Sequence, residues 1–367
     1  MSKRIETDFK TFVKFWSVPL LIGLAIFIAL KALTGLIIVG ASIFLALALR
    51  PLVNKVNGFF TRHFGKDKKH QNLSAILAYF IVVLVVGAIL AIIGPVVVNE
   101  TAKFVQNFPE TFETTFGGWE GVNNLGSAVG IQDLRGEIEN ALTGLSDNLL
   151  GVLGNNLISG VSGLADIIMK IVLVLVLTLL FLLEGRSLID GGWKSVEDDD
   201  NKKMVTVARR TFAKMANVIS TYVSRQVVVA MIDGCATMLI VFILSLIMGF
   251  SSSLAIPMGL ITALFYLIPM FGQFIGGTLV TLLLISSNLW AGLIYAIVYI
   301  LYSQIENNII APKVQGDALN LKPVIILCAI VIGMYMFGLL GAIIAIPVAG
   351  CIRVLVEEYP NIRAARK

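Results

Sequence analysis

The chain has 367 residues, of which 57% are hydrophobic and 14% are charged, and its formal net charge is +5. Soluble domains carry about 25% charged residues, so this composition excludes an ordinary water-soluble globule. Several apolar stretches reach the ~20 residues that a membrane-spanning helix requires. The sequence therefore predicts an all-α, polytopic membrane protein. No basic groove with interleaved aromatic residues is found, which argues against nucleic acid as a partner.

The N-terminal part, residues 1–98, is predicted to form three membrane helices. An apolar block at 18–49, interrupted at 31–35, fits two helices joined by a tight turn, and a third span follows at 73–98. The basic segment 50–72 lies between them. The apolar block lacks a small-residue cleavage site, so we interpret it as a retained helix and not a signal peptide.

Residues 99–163 are rich in acids and form a region of their own. Within 131–152, apolar residues recur at steps of three and four, which predicts an amphipathic helix. A fourth span is predicted at 164–183. The domain 164–225 combines that span with a basic amphipathic helix, a pattern typical of the membrane interface.

Basic and acidic segments alternate along the chain, and Lys and Arg gather in the cytoplasmic loops of membrane proteins. This rule predicts that the N-terminus, residues 50–72, residues 184–225 and the tail 357–367 are cytoplasmic. Region 99–163 is then on the outer side. An even number of crossings follows.

Residues 226–356 are predicted to be a transport core. It begins with a fifth span at 227–250. Two apolar runs, 254–285 and 323–356, are each too long for one span and too short for two, and a short span at 289–303 separates them.

Pro and Gly lie near the middle of both apolar runs. Backbone groups freed at membrane depth must be buried in protein or line a wet cavity, and interrupted segments of this kind indicate a transporter binding site. We therefore expect two helical hairpins that turn within the membrane, with tips that approach each other and line the substrate path. Two long kinked helices are the alternative.

Three stretches of this core carry a resemblance to a known family. They are Leu267–Gly276, then Gln304–Asn307 with Pro312–Gly316, and then Phe337–Gly341 with Ile346–Pro347. In order and spacing they resemble the autoinducer-2 exporter family.

The resemblance implies a bacterial inner-membrane protein with about eight membrane segments. It implies export of a small polar solute such as autoinducer-2, or cation/proton antiport. Two positions depart from the family pattern: Met270 replaces the usual aromatic residue, and Gln273 stands where a second proline is frequent. We therefore do not assign a substrate to this chain from the resemblance.

Asp233 lies seven residues into the fifth span. An acid inside the membrane costs roughly 3 kcal/mol on insertion scales, so it is a candidate functional residue. The alternative is an acid near the interface that pairs with Arg225 or Gln226.

Glu306 and Lys313 lie in the polar segment that follows the short span. With Gln304 and Asn307 as hydrogen-bonding partners, they form a candidate site for a proton or cation at a helix end. Pro312 is expected to disfavour helix there. The alternative is a loop whose motif only fixes a turn.

The Pro and Gly residues in the middle of the two apolar runs have two interpretations: they expose backbone groups to a substrate, or they allow close helix packing. The full set of candidate substrate- or ion-binding residues is Asp233, Gln226, Pro269, Gly272, Gln273, Gly276, Gln304, Glu306, Asn307, Pro312, Lys313, Gly338 and Gly341.

Other charged and metal-binding residue types have simpler interpretations. Asp166 and Lys170 are spaced for a structural ion pair within one helix. His63 and His70 lie in a basic segment, and the cysteine spacing fits no metal site. We expect no metal, no cofactor and no enzymatic activity, because neither a phosphate-binding loop nor a known intramembrane catalytic motif occurs.

The expected partners are the lipid bilayer, a small polar solute, H⁺ or Na⁺, and further copies of this chain in a homo-oligomer. A scaffold or regulator that binds through region 99–163 is the alternative function.

Overall fold

The computed structural model describes residues 33–64, 68–115, 161–198, 202–316 and 321–365, with the single residues 136, 140 and 144. Every regular element in these ranges is helical, which confirms the all-α class. The first predicted helix and the predicted amphipathic helix at 131–152 lie outside the described residues, apart from those three positions.

Four long helices form the first part of the structure. They are α1 (Leu33–Phe64), α2 (Lys68–Thr115), α3 (Val161–Val196) and α4 (Lys202–Met248). Each extends past its predicted span, and most of the basic segment 50–72 is helical. Hydropathy marks only the apolar part of a helix, whereas Lys, Arg, Gln and Glu continue the helix in water because their helix propensities are high.

Helix α4 joins two elements that the sequence separated. The predicted interfacial helix and the fifth span are one unbroken helix of 47 residues. No proline interrupts it, and at 1.5 Å per residue it is about 70 Å long. Helix α1 and parts of both hairpins described below pack along this helix.

The first interrupted run is a helical hairpin, as predicted. After a short 3₁₀ turn it consists of α5 (Ala255–Tyr266) and α6 (Gly272–Ser287), and the chain reverses between them. Met270 in the turn has a positive φ of 66°.

Glycines allow the two arms of this first hairpin to meet closely. A Cβ on Gly272 would lie 1.9 Å from the carbonyl oxygen of Phe265, and one on Gly276 would lie 3.1 Å from the Cα of Thr262. Later residues of α6 thus meet earlier residues of α5, which is the antiparallel arrangement of a hairpin.

Helix α7 (Leu289–Ile305) follows and continues through a π-helical turn, Glu306–Ile310, into α8 (Ala311–Gln315). The expectation that Pro312 disfavours helix here is wrong. Pro312 lies in the first turn of α8, where a missing N–H is tolerated.

The second interrupted run is also a hairpin. Helix α9 (Pro323–Ala365) leaves helical geometry at Phe337 and Gly338, and Gly338 has a φ of 61°. A Cβ on Gly341 would lie 1.9 Å from the carbonyl oxygen of Gly333. In a straight helix these glycines would be about 12 Å apart, so the chain reverses at Phe337–Gly338.

The two hairpins pack on different stretches of α4. Close to its tip, the first hairpin packs Tyr266 against Val229 and Ala230. The second packs its apolar residues against Tyr222, with Cys351 further back at Met215. The hairpins thus approach adjoining levels of α4 from opposite ends, and in the described residues the second packs mainly on α4. The prediction that their tips line one path stays a prediction.

Polar ends of several helices meet at one end of the molecule. Arg209 of α4 pairs with Asp190 of α3 at 2.5 Å, and Lys214 pairs with Glu358 near the end of α9. The segment 184–225 and the C-terminal part of α9 therefore share one side.

Six helices in the described residues are long and apolar enough to cross a membrane. They are Thr34–Arg62, Asn72–Lys103, Ile168–Val196, Lys202–Met248, Leu289–Gln315 and Pro323–Ala365, the last being divided by the reversal of the second hairpin. Many large apolar side chains on them are exposed, as a lipid-facing surface requires. The protein is a multi-pass membrane protein.

Candidate functional site

Asp233 is fully buried on α4. The hydroxyl of Tyr299 donates a 3.0 Å hydrogen bond to its Oδ1, while Oδ2 has no partner in the described structure. The neighbouring Gly234 explains the burial, because a Cβ there would lie 2.6 Å from the carbonyl oxygen of Gly259 on α5. Helix α5 can thus cover this stretch of α4.

Glu306 is also fully buried and begins the π turn. Gln273 Nε2 donates to its Oε2 at 2.6 Å, and Oε1 has no partner among the described atoms. The amide of Ala311 bonds the carbonyl of Glu306, five residues back. A π turn of this kind is frequent at functional sites, since it displaces the side chains that follow it.

Asp233 and Glu306 are neighbours, although they are far apart in the sequence. The Tyr299 hydroxyl contacts both Asp233 and the backbone oxygen of Gln273, and the Gln273 side chain bonds Glu306. No Lys, Arg or His side chain pairs with either one in the described part of the chain. We refer to these two side chains as the acid pair. Two buried carboxylates repel each other strongly unless a proton or a cation lies between them.

Gln273 connects the turn of the first hairpin to the acid pair. Its Nε2 bonds Glu306, and its Oε1 accepts a hydrogen bond of 2.9 Å from Asn307 Nδ2. Its backbone oxygen accepts from the Tyr299 hydroxyl at 3.4 Å. Gln273, one of the two residues that depart from the family pattern, is therefore a direct neighbour of the candidate site.

Gln226 links the hairpin to α8 and does not pair with Asp233. Its Nε2 donates to the carbonyl oxygen of Tyr266 at 2.8 Å, and its Oε1 accepts from Gln315 Nε2 at 3.3 Å. Arg225 donates to the backbone oxygen of Gln315. The alternative interpretation of Asp233, pairing with Arg225 or Gln226, is therefore wrong.

Sequence reasoning missed the tyrosines around the acid pair. The rings of Tyr295 and Tyr299 stack with their centroids 5.4 Å apart, and the ring centroid of Tyr302 lies 6.1 Å from that of Tyr299. Their spacing of four and three residues places them on one face of α7. That periodicity within the predicted span 289–303 was the available signal.

Several predicted residues lie outside this cluster. In the described residues, Lys313 is exposed and makes no ion pair, and the Gln304 side chain makes no hydrogen bond. Pro269 lies in the first hairpin's turn, and Gly338 forms the second hairpin's reversal.

The geometry of Gly272, Gly276 and Gly341 supports the packing interpretation, because a side chain there would overlap or crowd the opposite arm. Asp166 and Lys170 form the expected ion pair at 2.5 Å. Within the described residues, no group of three or more His, Cys, Asp or Glu side chains is arranged for a metal ion.

Long apolar helices and two opposed hairpins define a polytopic helical membrane protein with a buried acid pair. The sequence matches the family described as AI-2E family transporter over residues 18–361. The chain belongs to that family, and the resemblance found in its three motif stretches is confirmed.

Individual relatives agree with this assignment. The chain is 25% identical over 309 residues to "Putative transport protein sll0060" of Synechocystis sp., which covers 80% of this chain and 82% of that protein. It is 23% identical over 361 residues to "Putative transport protein YueF" of Bacillus subtilis, covering 94% and 92%. A third relative, "Putative transport protein YrrI" of Bacillus subtilis, is 30% identical over 131 residues, which cover 34% of this chain and 37% of that protein.

Proposed function

We propose that this chain is a secondary transporter that exports a small polar solute across the bacterial inner membrane, driven by a gradient of H⁺ or Na⁺. An autoinducer-2-like signal is one member of that solute class. The observation that carries the proposal is the acid pair, which is buried among membrane helices and has no cationic side chain against it in the described residues.

The acid pair supports ion coupling for an electrostatic reason. Two ionised carboxylates in a low-dielectric interior repel each other and lose their hydration. A proton or a monovalent cation bound between Asp233 and Glu306 relieves the repulsion and leaves one net negative charge, to which Tyr299 and Gln273 donate hydrogen bonds. Each carboxyl also has one oxygen without a partner, which is available to such an ion.

The surroundings of the acid pair support a coupled movement. Asp233 lies on α4, whereas Gln273 lies at the start of α6 and Glu306 begins the π turn. A change in the charge of the pair alters the hydrogen bonds that join three separate elements. This is the kind of link by which an ion biases a conformational equilibrium.

Cation/proton antiport is the second candidate, and the same two free oxygens favour it. The acid pair holds either a cation or a proton, and exchange between the two needs no organic solute. A non-transporting scaffold makes no use of a buried acid pair.

We further propose that both termini are cytoplasmic and that the protein catalyses no covalent reaction and requires no cofactor. A homo-oligomer would cover part of the second hairpin, where Tyr335 is 90% exposed.

Flux through proteoliposomes tests the proposal. The purified chain is supplied with a panel of small polar solutes under imposed pH or Na⁺ gradients. We expect gradient-dependent solute flux that Asp233→Asn and Glu306→Gln abolish. Gradient-coupled cation exchange without any solute flux would favour antiport.

Glu100→Gln is the matched control. Glu100 is also a buried acid, but it is fully partnered by Lys103 at 2.7 Å and by Ser286 and Ser287 at 3.1 and 3.0 Å. We expect this variant to keep its coupling. Flux that is equally gradient-dependent in all three variants would overturn the role of the acid pair.

A further inference from the structure

A second polar site lies apart from the acid pair, between helices α1, α3 and α4, with the start of α2 at its edge. A cavity of about 310 Å³ there has a mainly apolar lining, and an adjoining one of about 280 Å³ is polar. The two cavities share Arg50, Asn54 and Arg186 in their walls. They therefore form one amphipathic cavity with arginines where its two parts meet.

Neither arginine is neutralised in the described residues. The guanidinium groups of Arg50 and Arg186 repel each other, and no carboxylate pairs with either. Other basic residues at this end do find acids, such as Arg209 with Asp190. Two uncompensated arginines facing one cavity are a recognition site for an anion, because the guanidinium fork matches phosphate geometry.

A third polar group in the cavity wall lacks a partner. The side-chain oxygen of Asn57 is buried and accepts no hydrogen bond from any described residue. Leaving a buried acceptor unpaired is unfavourable. A ligand that fits this cavity therefore carries a hydroxyl or N–H donor as well as a negative charge.

Apolar residues line the cavity on both sides of the arginines, with Val53, Leu188 and Ile189 beyond them and a longer apolar stretch before them. On α1 the longer stretch follows Ile43 and Leu47, which precede Arg50 by one to two turns, and on α3 it follows Phe181, which precedes Arg186. On both helices the sequence thus changes from apolar to basic toward the same end. An acyl chain below a phosphate headgroup has this same polarity.

We propose that Arg50 and Arg186 bind the phosphate of an anionic phospholipid, whose acyl chain lies along the apolar cavity and whose headgroup hydroxyl bonds Asn57. Asn217 and Ser220 line the polar part and supply further hydrogen-bonding groups. Basic pockets between membrane helices at a cytoplasmic surface bind such headgroups. The lipid would join α4, which carries Asp233, to α1 and α3.

Native mass spectrometry of the full chain in detergent tests this proposal. The unmodified protein is titrated with phosphatidylglycerol and, separately, with phosphatidylcholine. We expect one phosphatidylglycerol per chain to be retained with roughly tenfold or greater preference, since each basic residue at a membrane surface contributes about a factor of five. The double variant Arg50→Gln/Arg186→Gln should lose that preference.

The double variant Lys55→Gln/Lys194→Gln is the matched control. It removes the same charge from the same two helices, but both lysines are exposed and lie outside the cavity. We expect it to keep the preference. The double variant Arg50→Lys/Arg186→Lys keeps the charge but loses the planar guanidinium fork. We expect its preference for phosphatidylglycerol to lie between those of the unmodified protein and the arginine-to-glutamine variant.

Inorganic phosphate and glycerophosphate, added as competitors, separate a lipid from a soluble anion. Retention of phosphatidylglycerol in their presence supports the lipid. Displacement by either one, together with equal binding of phosphatidylcholine, would overturn it. So would a loss of preference that is equal in the arginine and lysine variants. Because the lipid comparison on the unmodified protein needs no variant, a variant that fails to fold does not prevent the test.

Discussion

The side-chain amide of Gln273 bonds the carboxyl of Glu306 at 2.6 Å and thereby joins the first hairpin to the π turn. Asn307 donates to the oxygen of the same amide. The orientation of the amide is thus fixed by two neighbours, and its N–H faces the acid pair. The residue at position 273 therefore determines how one carboxyl of the pair is held.

Gln273→Leu should destabilise the protein by about 1–3 kcal/mol, because a buried carboxyl loses its donor. Thermal unfolding in detergent measures this. Gln304→Leu is the control, since Gln304 is exposed and its side chain makes no hydrogen bond in the described residues. Equal melting temperatures for the two variants would contradict the assigned contact.

Gln273→Pro introduces the residue that is frequent in the family at this position. Position 273 lies in the first turn of α6, where proline is tolerated. We expect a folded protein whose flux depends differently on the imposed gradient. A gradient dependence identical to that of the unmodified chain would show that Gln273 does not act on the acid pair.

Tyr299→Phe removes the hydroxyl that donates to Asp233. We expect gradient-driven flux to fall about tenfold, which corresponds to ~1.4 kcal/mol. Tyr295→Phe is the matched control, because its hydroxyl bonds Thr237 at 3.3 Å and its ring stacks on the same face. A similar loss in both variants would assign the effect to packing and not to Asp233.

Gly272→Ala and Gly341→Ala should each destabilise the fold by about 1–3 kcal/mol or more, since each added methyl overlaps the opposite arm of a hairpin. Gly40→Ala and Gly87→Ala have open space at the same point, and we expect them to be neutral or stabilising by up to ~1 kcal/mol. Thermal melts of the four variants give the comparison. Unchanged melting temperatures for both Gly272→Ala and Gly341→Ala would refute the close contact of the hairpin arms.

The predicted orientation is tested by labelling single cysteines in a chain without its three native ones. Glu110→Cys should react with an impermeant thiol reagent in intact cells, and Asp200→Cys should react only after permeabilisation. The reason is the excess of basic residues in segments 50–72 and 184–225. Labelling of position 200 but not of position 110 in intact cells would contradict the predicted orientation and indicate the opposite one.

Some features follow from the sequence because they depend on local chemistry. Transfer into lipid is nearly additive along a helix, so hydropathy alone predicts the long spans. The two reversals follow from Pro and Gly within runs of unsuitable length, and both hairpins are found. The pair Asp166–Lys170 follows from helical spacing.

Only the tertiary structure decided the meeting of Asp233 with Glu306 and Gln273. The sequence marks the two acids as unusual in an apolar setting, but it predicts Gln304 and Asn307 as the hydrogen-bonding partners of a site formed by Glu306 and Lys313. Which polar groups meet depends on the packing of α4 against the first hairpin and α7, and close contacts such as that of Gly234 fix this packing. From the sequence, Arg50 and Arg186 count only as members of the basic segments that orient the chain. Charge counting sets the side of a membrane, whereas a shared cavity requires three helices to converge.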